Sequence, residues 1–246
     1  MRAVGTVLLA LIATSAAAET ITAARYISPT GRYAHGILGD ALEWGGLQVS
    51  LADGNARRFT LPRDHVFEDI APRLVDVTGD GAPEVLVIET DVNRGAALAI
   101  YGPEGKIAET PHIGQSNRWL APIGAADLDG DGDADVLSAS KKDDKVAWYE
   151  NRGTVGGVFQ GFGGQKVIST AVDCATNVHA ADLDGDGDLD LATSNSGDTN
   201  VSVLFNQGNG TFQTPSNIGV GNFFDSLPFD VVASDLDNDG RPDFVV

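Results

Sequence analysis

Cysteine is all but missing from this sequence. Cys174 stands alone among 246 residues, so no internal disulfide can brace the chain. Basic side chains are scarce too: 16 Lys and Arg face 35 Asp and Glu, a net charge of −19. That balance excludes nucleic acid as a partner, because its phosphates need Lys and Arg contacts. Beyond the first eighteen residues no apolar run is long enough to cross a bilayer. No segment carries a sustained apolar stripe at helical spacing, which argues against a helical fold. Something other than disulfides or helix packing must stiffen the molecule.

Residues 1–18 stand apart. Arg2 gives a positive start, Val7 to Ala13 is apolar, and Ala16, Ala17 and Ala18 follow as small residues. That order is expected of a secretory signal peptide, in preference to a buried N-terminal helix. The mature chain is therefore expected outside the cytoplasm, secreted, periplasmic or at the cell surface, with no membrane span.

What the chain does contain is a repeat. Four segments align: DVTGDGAPEVLV from Asp76, DLDGDGDADVLS from Asp127, DLDGDGDLDLAT from Asp182 and DLDNDGRPDFVV from Asp235. Their starts are 51, 55 and 53 residues apart, and together they hold 17 of the 35 carboxylates. A period near fifty points to a solenoid or propeller. Short apolar stretches precede and follow each segment, and a third stretch comes later in the unit (ALAIYG, KVAWYENRG, NVSVLFNQGNG). The joints (KKDD, NSGDT, NQGNG) have turn chemistry. Each unit has room for about four strands of ordinary length. The expected fold is all-β, a β-propeller of four-stranded antiparallel blades, about four to five of them, in a closed or an incomplete ring. Residues 19–72 read as a worn blade or a separate strand region, and 73–246 as the repeats proper. The last segment stops three residues after Asp243. Either the strand around Ile21 to Ile27 closes the ring, or the natural protein continues past Val246. The second is favoured, since a chain stopping inside a blade leaves a raw sheet edge.

The acidic segments follow D-x-D-x-D-G-x-x-D. Calcium takes six to eight oxygens at ~2.3–2.6 Å in a flexible cage. Carboxylates at positions 1, 3 and 5 of a tight loop can face one centre, Gly at position 6 turns the chain, position 7 offers its carbonyl and position 9 closes the cage. The expected ligands are Asp127, Asp129, Asp131, Asp133 (carbonyl) and Asp135 in the second loop. In the third they are Asp182, Asp184, Asp186, Asp188 (carbonyl) and Asp190. In the fourth they are Asp235, Asp237, Asp239, Arg241 (carbonyl) and Asp243. Oxygen-only ligands favour Ca2+ over zinc or copper. The first loop keeps Asp76 and Asp80 but has Thr78 at position 3 and Glu84 at position 9, so it is expected to bind weakly or not at all. An EF-hand would need Glu at position 12, where Val87, Ser138, Thr193 and Val246 stand, and helices on both flanks. Calcium-binding nonapeptide β-rolls repeat too closely for this spacing. Acidic surface turns without a metal are the plain alternative, and three full copies at one period argue against it.

These loops, the D-[LV]-[LA] strands after them, and KVAWYENRG or VSVLFNQGNGTF resemble the FG-GAP/VCBS repeats of integrin α-subunit propellers and of many exported bacterial proteins. The resemblance covers about Arg73 to Val246. It implies a propeller whose loop joins the first two strands of a blade and binds calcium; it implies no particular ligand.

Other candidates read as structural. Trp44, Trp119 and Trp148 are expected between blades rather than on a sugar-binding face. His35, His65, His112 and His179 lack ligand spacing, Cys174 lacks a nucleophile's context, and the Gly-rich run from Gly156 lacks a P-loop lysine. The expected function is a calcium-binding recognition, adhesion or scaffolding module for an extracellular protein or glycan, not an enzyme. The alternative is a secreted polysaccharide- or ester-cleaving enzyme on a propeller scaffold, which would need convergent His, Lys, Arg or Tyr side chains away from the loops.

Overall fold

A computed structural model of the chain describes residues 19–30, 43–68, 71–113, 120–141, 143–220, 228, 230–238 and 242–246. Residues 1–18, expected to be a signal peptide, the YAHGILGD stretch with His35, Trp119, and the loop residues Asp239 and Arg241 lie outside these. Among the described residues there is no α-helix, and none long and apolar enough to cross a membrane.

The first sheet has eight strands. They are β1 (Ile21–Thr30), β2 (Glu43–Leu51), β3 (Ala56–Thr60), β4 (His65–Phe67), β5 (Arg73–Val75), β6 (Glu84–Asp91), β7 (Gly95–Gly102) and β8 (Gly105–Glu109). Its order is β1-β2-β4-β6-β7-β8, with β3 on β2 and β5 on β6. Residues 19–68 are thus joined to the first repeat through β4, whose Phe67 pairs with Trp44 on one side and Glu89 on the other. The second sheet is four-stranded, β14-β11-β10-β9. It comprises β9 (Leu120–Ala126), β10 (Asp135–Ser140), β11 (Lys145–Tyr149) and β14 (Lys166–Ser169). A small hairpin of β12 (Thr154–Val155) and β13 (Val158–Phe159) interrupts it. The third sheet runs β15 (Ala175–Ala181), β16 (Asp190–Asn195), β17 (Asn200–Leu204), β18 (Ser216–Gly219) in sequence order. A pair, β19 (Val232–Ser234) and β20 (Asp243–Val245), follows. All pairings are antiparallel, as short connections between consecutive strands require.

Every residue of β6, β10 and β16 is buried. A strand has two faces, so a strand buried throughout must be covered on both. The core clusters show how. In β6, Val85 and Val87 pack with Leu47 and Val49, while Leu86 and Ile88 pack with Val136 and Tyr149 of the second sheet. On the other face of the second sheet Leu137, Ala139, Val146 and Trp148 join Val178, Leu191 and Leu204 of the third. Ala192 and Val201 then meet Val231 and Phe244. The second and third sheets each lie between their neighbours in sequence. Trp148 is one of the largest fully buried side chains, with the Lys166 ammonium 4.2 Å from its ring centroid; Trp44 is half-buried against Tyr26.

Candidate metal centres

Each acidic loop closes one hairpin. The first starts after β5 and ends on the first residue of β6; the others connect β9 to β10, β15 to β16, and β19 to β20 in the same way. The closing residue pairs with the residue just before the loop: Glu84 with Val75, Asp135 with Ala126, Asp190 with Ala181, Asp243 with Ser234. Strands, not helices, flank the motif, which removes the EF-hand.

The position 1 aspartate organises the turn. Asp127 Oδ1 accepts from the Gly130 amide at 2.8 Å and Oδ2 from the Gly132 amide at 3.0 Å. Asp182 does the same with Gly185 at 2.7 Å and Gly187 at 3.1 Å, and Asp76 with Gly79 and Gly81 at 2.8 and 2.9 Å. Positions 4 and 6 must both be left-handed for those amides to face one carboxylate. Gly130 and Gly132 have φ of 78° and 93°, and Asn238 takes φ 60° at position 4 of the last loop. Glycine and asparagine are the residues that bear this conformation at least cost. Position 4 was missed by the sequence reading, although its restriction to Gly and Asn is visible there.

Position 9 closes the loop from inside the sheet. Asp135 is fully buried; its Oδ2 accepts from Leu128 N at 3.0 Å and its Oδ1 from Asn151 N at 2.8 Å. Asp190, equally buried, accepts from Leu183 N at 2.9 Å and Asn206 N at 2.7 Å. Among the described residues three all-aspartate triads then form: Asp127, Asp129 and Asp135; Asp182, Asp184 and Asp190; Asp235, Asp237 and Asp243. Within each, one oxygen per residue lies within 4.8 Å of the others. Two oxygens on opposite sides of a calcium ion stand about 4.6–5.2 Å apart, twice its bond length, so the spacing fits. Asp129 Oδ1 is buried with no hydrogen-bond partner, an oxygen that a cation would satisfy. Electrostatics points the same way. Burial, with Asp129 and Asp131 nearby, pushes the Asp135 carboxyl up to about 7, against the amides of Asn151 and Leu128. Burial likewise raises Asp190, beside Asp184 and Asp186, and Asp129, beside Asp131. Buried like charges of this kind are relieved by a bound cation.

Comparison with known proteins accords with the repeats. The FG-GAP-like repeat pattern matches residues 76–138, 127–193 and 182–246. The chain belongs to the FG-GAP-like repeat family. A solved structure of an Agrocybe aegerita lectin, described as specifically recognising non-reducing terminal N-acetylglucosamine, is similar at 21% identity with a TM-score of 0.48. The match covers 92% of this chain and 60% of that one, so the chain spans under two thirds of the lectin's length. No curated protein matches.

Not every expected ligand joins a triad. In the second and third FG-GAP-like repeats Asp131 and Asp186, at position 5, stand outside and cap their own turns. Their Oδ1 atoms accept from the Asp133 and Asp188 amides, both at 2.9 Å. The Asp133 and Asp188 side chains lie against Gly153 and Gly208, where a Cβ would overlap them, leaving carbonyls as their means of reaching an ion. Asp235 and Asp237 in the last repeat are exposed. The first repeat differs most. Asp76, Asp80 and Glu84 form no triad; instead Glu84 folds back onto Thr78, accepting from its Oγ1 at 2.9 Å and its amide at 3.2 Å, and from Val77 N at 2.9 Å. The hydroxyl and the longer acid close this loop onto each other.

Two asparagines escaped the sequence reading. Asn151 and Asn206 are buried, and each main-chain amide holds the closing aspartate of its own repeat. Each side chain reaches the previous loop: Asn151 Nδ2 to Val77 O and Asn206 Nδ2 to Leu128 O, both at 2.8 Å. The available signal was the shared Asn-x-Gly of YENRG and LFNQG.

The remaining candidates fall elsewhere. His65 sits between Asp64, Glu89 and Asp91, and His112 near Glu109. Cys174 is half-buried; burial and the neighbouring Asp173 raise its thiol, which keeps it protonated.

Proposed function

We propose that this chain is a calcium-stabilised β-propeller recognition module that works outside the cytoplasm, binds an extracellular protein or glycan, and performs no catalysis. The observation that carries the metal reading is the recurrence of one oxygen triad at the same hairpin in consecutive repeats, with the Asp129 Oδ1 acceptor unpartnered inside one of them. In the second repeat Asp127, Asp129 and Asp135 would hold the ion, and in the third Asp182, Asp184 and Asp190. The bound ion neutralises a carboxylate cluster and ties both strands of the hairpin to its loop. The propeller reading is supported by consecutive antiparallel sheets, each packed against the next through a shared core. The recognition reading is supported by family membership, since a repeated rigid scaffold with variable connections suits binding.

Calorimetric titration of the chain with calcium, paired with metal counting by native mass spectrometry, tests the metal. Uptake of three ions per chain, one per triad, is expected, with magnesium much weaker because it demands tighter octahedral geometry. No calcium uptake would overturn the reading. Arrays of glycans and matrix proteins, probed with and without chelator, test recognition; calcium-dependent retention on one class is expected, and retention on none would remove the recognition role.

A further inference from the structure

The acidic loops are wired to one another through the core. From the third repeat backward, Asp190 Oδ1 accepts from Asn206 N at 2.7 Å, and Asn206 Nδ2 donates to Leu128 O at 2.8 Å. Leu128 lies between Asp127 and Asp129, and its own amide donates to Asp135 Oδ2 at 3.0 Å. Asp135 Oδ1 then accepts from Asn151 N at 2.8 Å, and Asn151 Nδ2 donates to Val77 O at 2.8 Å. Val77 N donates to Glu84 at 2.9 Å, in the loop that closes on itself. Asp190, Asp135, Asn206, Asn151, Leu128 and Val77 are all buried, so water does not compete for these bonds.

We propose that Asn151 and Asn206 are positioning residues that couple the metal loops, so that an ion in one loop raises the affinity of the next. This rests on the calcium reading. An ion in the second loop fixes Asp127, Asp129 and Asp135, and with them the Leu128 backbone that two of these residues enclose. The Leu128 carbonyl then anchors Asn206, whose amide orients the closing carboxylate of the third loop. A ligand group already held in its binding position costs less to order, which is positive cooperativity. Linkage makes the effect reciprocal: an ion in the third loop strengthens the second. The self-closed first loop is the fixed end of the chain, holding Asn151 without an ion.

The geometry makes the coupling separable from the site itself. Asn206 holds Asp190 through its main-chain amide, which any side-chain substitution but proline keeps, and reaches Leu128 only through Nδ2; because Nδ2 also donates to Leu189 O at 3.1 Å inside the third loop, the affinity followed is that of the second loop. The test uses the full chain with the fourth loop disabled by Asp237→Ala, so that two ions remain, and titrates calcium calorimetrically. In that background Asp182→Ala disables the third loop, and the affinity of the second is expected to fall about 5-fold or more, the usual range of allosteric coupling. After Asn206→Ala, adding Asp182→Ala should leave the second loop's affinity unchanged, which a merely structural asparagine would not produce. A second-loop affinity that Asp182→Ala alters by less than about twofold overturns the coupling. Should Asn206→Ala fail to fold, the Asp182→Ala comparison decides alone, because it leaves Asn206 in place. Two ions binding independently would remove the coupling and leave the calcium reading intact. No ions at all would remove both.

Discussion

Asp135 shows how one residue can be destabilising alone and stabilising with a partner. Burial pushes its carboxyl up to about 7 from the usual 3.8. The folded, metal-free protein therefore favours the protonated acid. By linkage, that contribution is fully present below the unfolded value and is lost as pH rises toward 7. A bound cation would hold the carboxylate and reverse the slope. The gain in melting temperature on adding calcium should therefore grow between about pH 5 and 8, measured as the difference between calcium-loaded and chelated samples at each pH. A gain independent of pH would show that Asp135 is no ligand. The contrast between loops is sharper still. Asp190→Asn, which keeps shape but removes charge, should cost one bound ion per chain. Glu84→Gln should cost none, because Glu84 closes onto the Thr78 hydroxyl and belongs to no acidic triad. Metal counting by native mass spectrometry on both variants checks this.

At the scale of the element, the acidic hairpin depends on two left-handed residues before any metal. Gly130→Asn should be nearly neutral, since Asn238 fills the same place in the last loop, whereas Gly130→Val should cost about 1–2 kcal/mol or more. Denaturant unfolding of the two variants gives the comparison. The strand that follows is held from both sides. Trp148 faces the third sheet and Tyr149 the first, from neighbouring positions on β11. Trp148→Ala removes the larger of them from a closed site and should cost about 3–5 kcal/mol, read as a loss in unfolding free energy with calcium in excess. A loss under about 1 kcal/mol would mean that the second and third sheets do not pack through this ring.

The whole molecule carries 35 acidic side chains and no disulfide, so its stability should depend on ions. A native-state ligand contributes RT ln(1 + [L]/Kd), about 2.7 kcal/mol per site at a hundredfold excess. With three triads, chelation is expected to lower the melting temperature markedly and to broaden the transition. Added sodium chloride should recover only part of the loss, because screening softens repulsion between exposed carboxylates but does not reach the buried Asp135 and Asp190. Scanning calorimetry in calcium, chelator, and chelator with salt distinguishes these; equal melting in all three would refute an ionic brace.

The sequence by itself determined the repeat, the all-β character and the acidic hairpins. Each of these is written in a short continuous stretch: the loop's first and last acidic residues are eight residues apart and are joined by one antiparallel turn. It also marked the first loop as deviant, through Thr78 and Glu84. Tertiary structure decided what lies between repeats. Asn151 and Asn206 meet their acceptors 74 and 78 residues away, and no local pattern states which carbonyl an asparagine will find once sheets stack. Strand pairing within the first sheet also decided that β4 would splice the N-terminal strands onto the first repeat. The same holds for Asp131 and Asp186, which each turn one oxygen onto their own turn and stand outside the triads, while Asp135 and Asp190 come in from the strand. A motif fixes which oxygens are available; burial and the neighbouring sheet fix where they point.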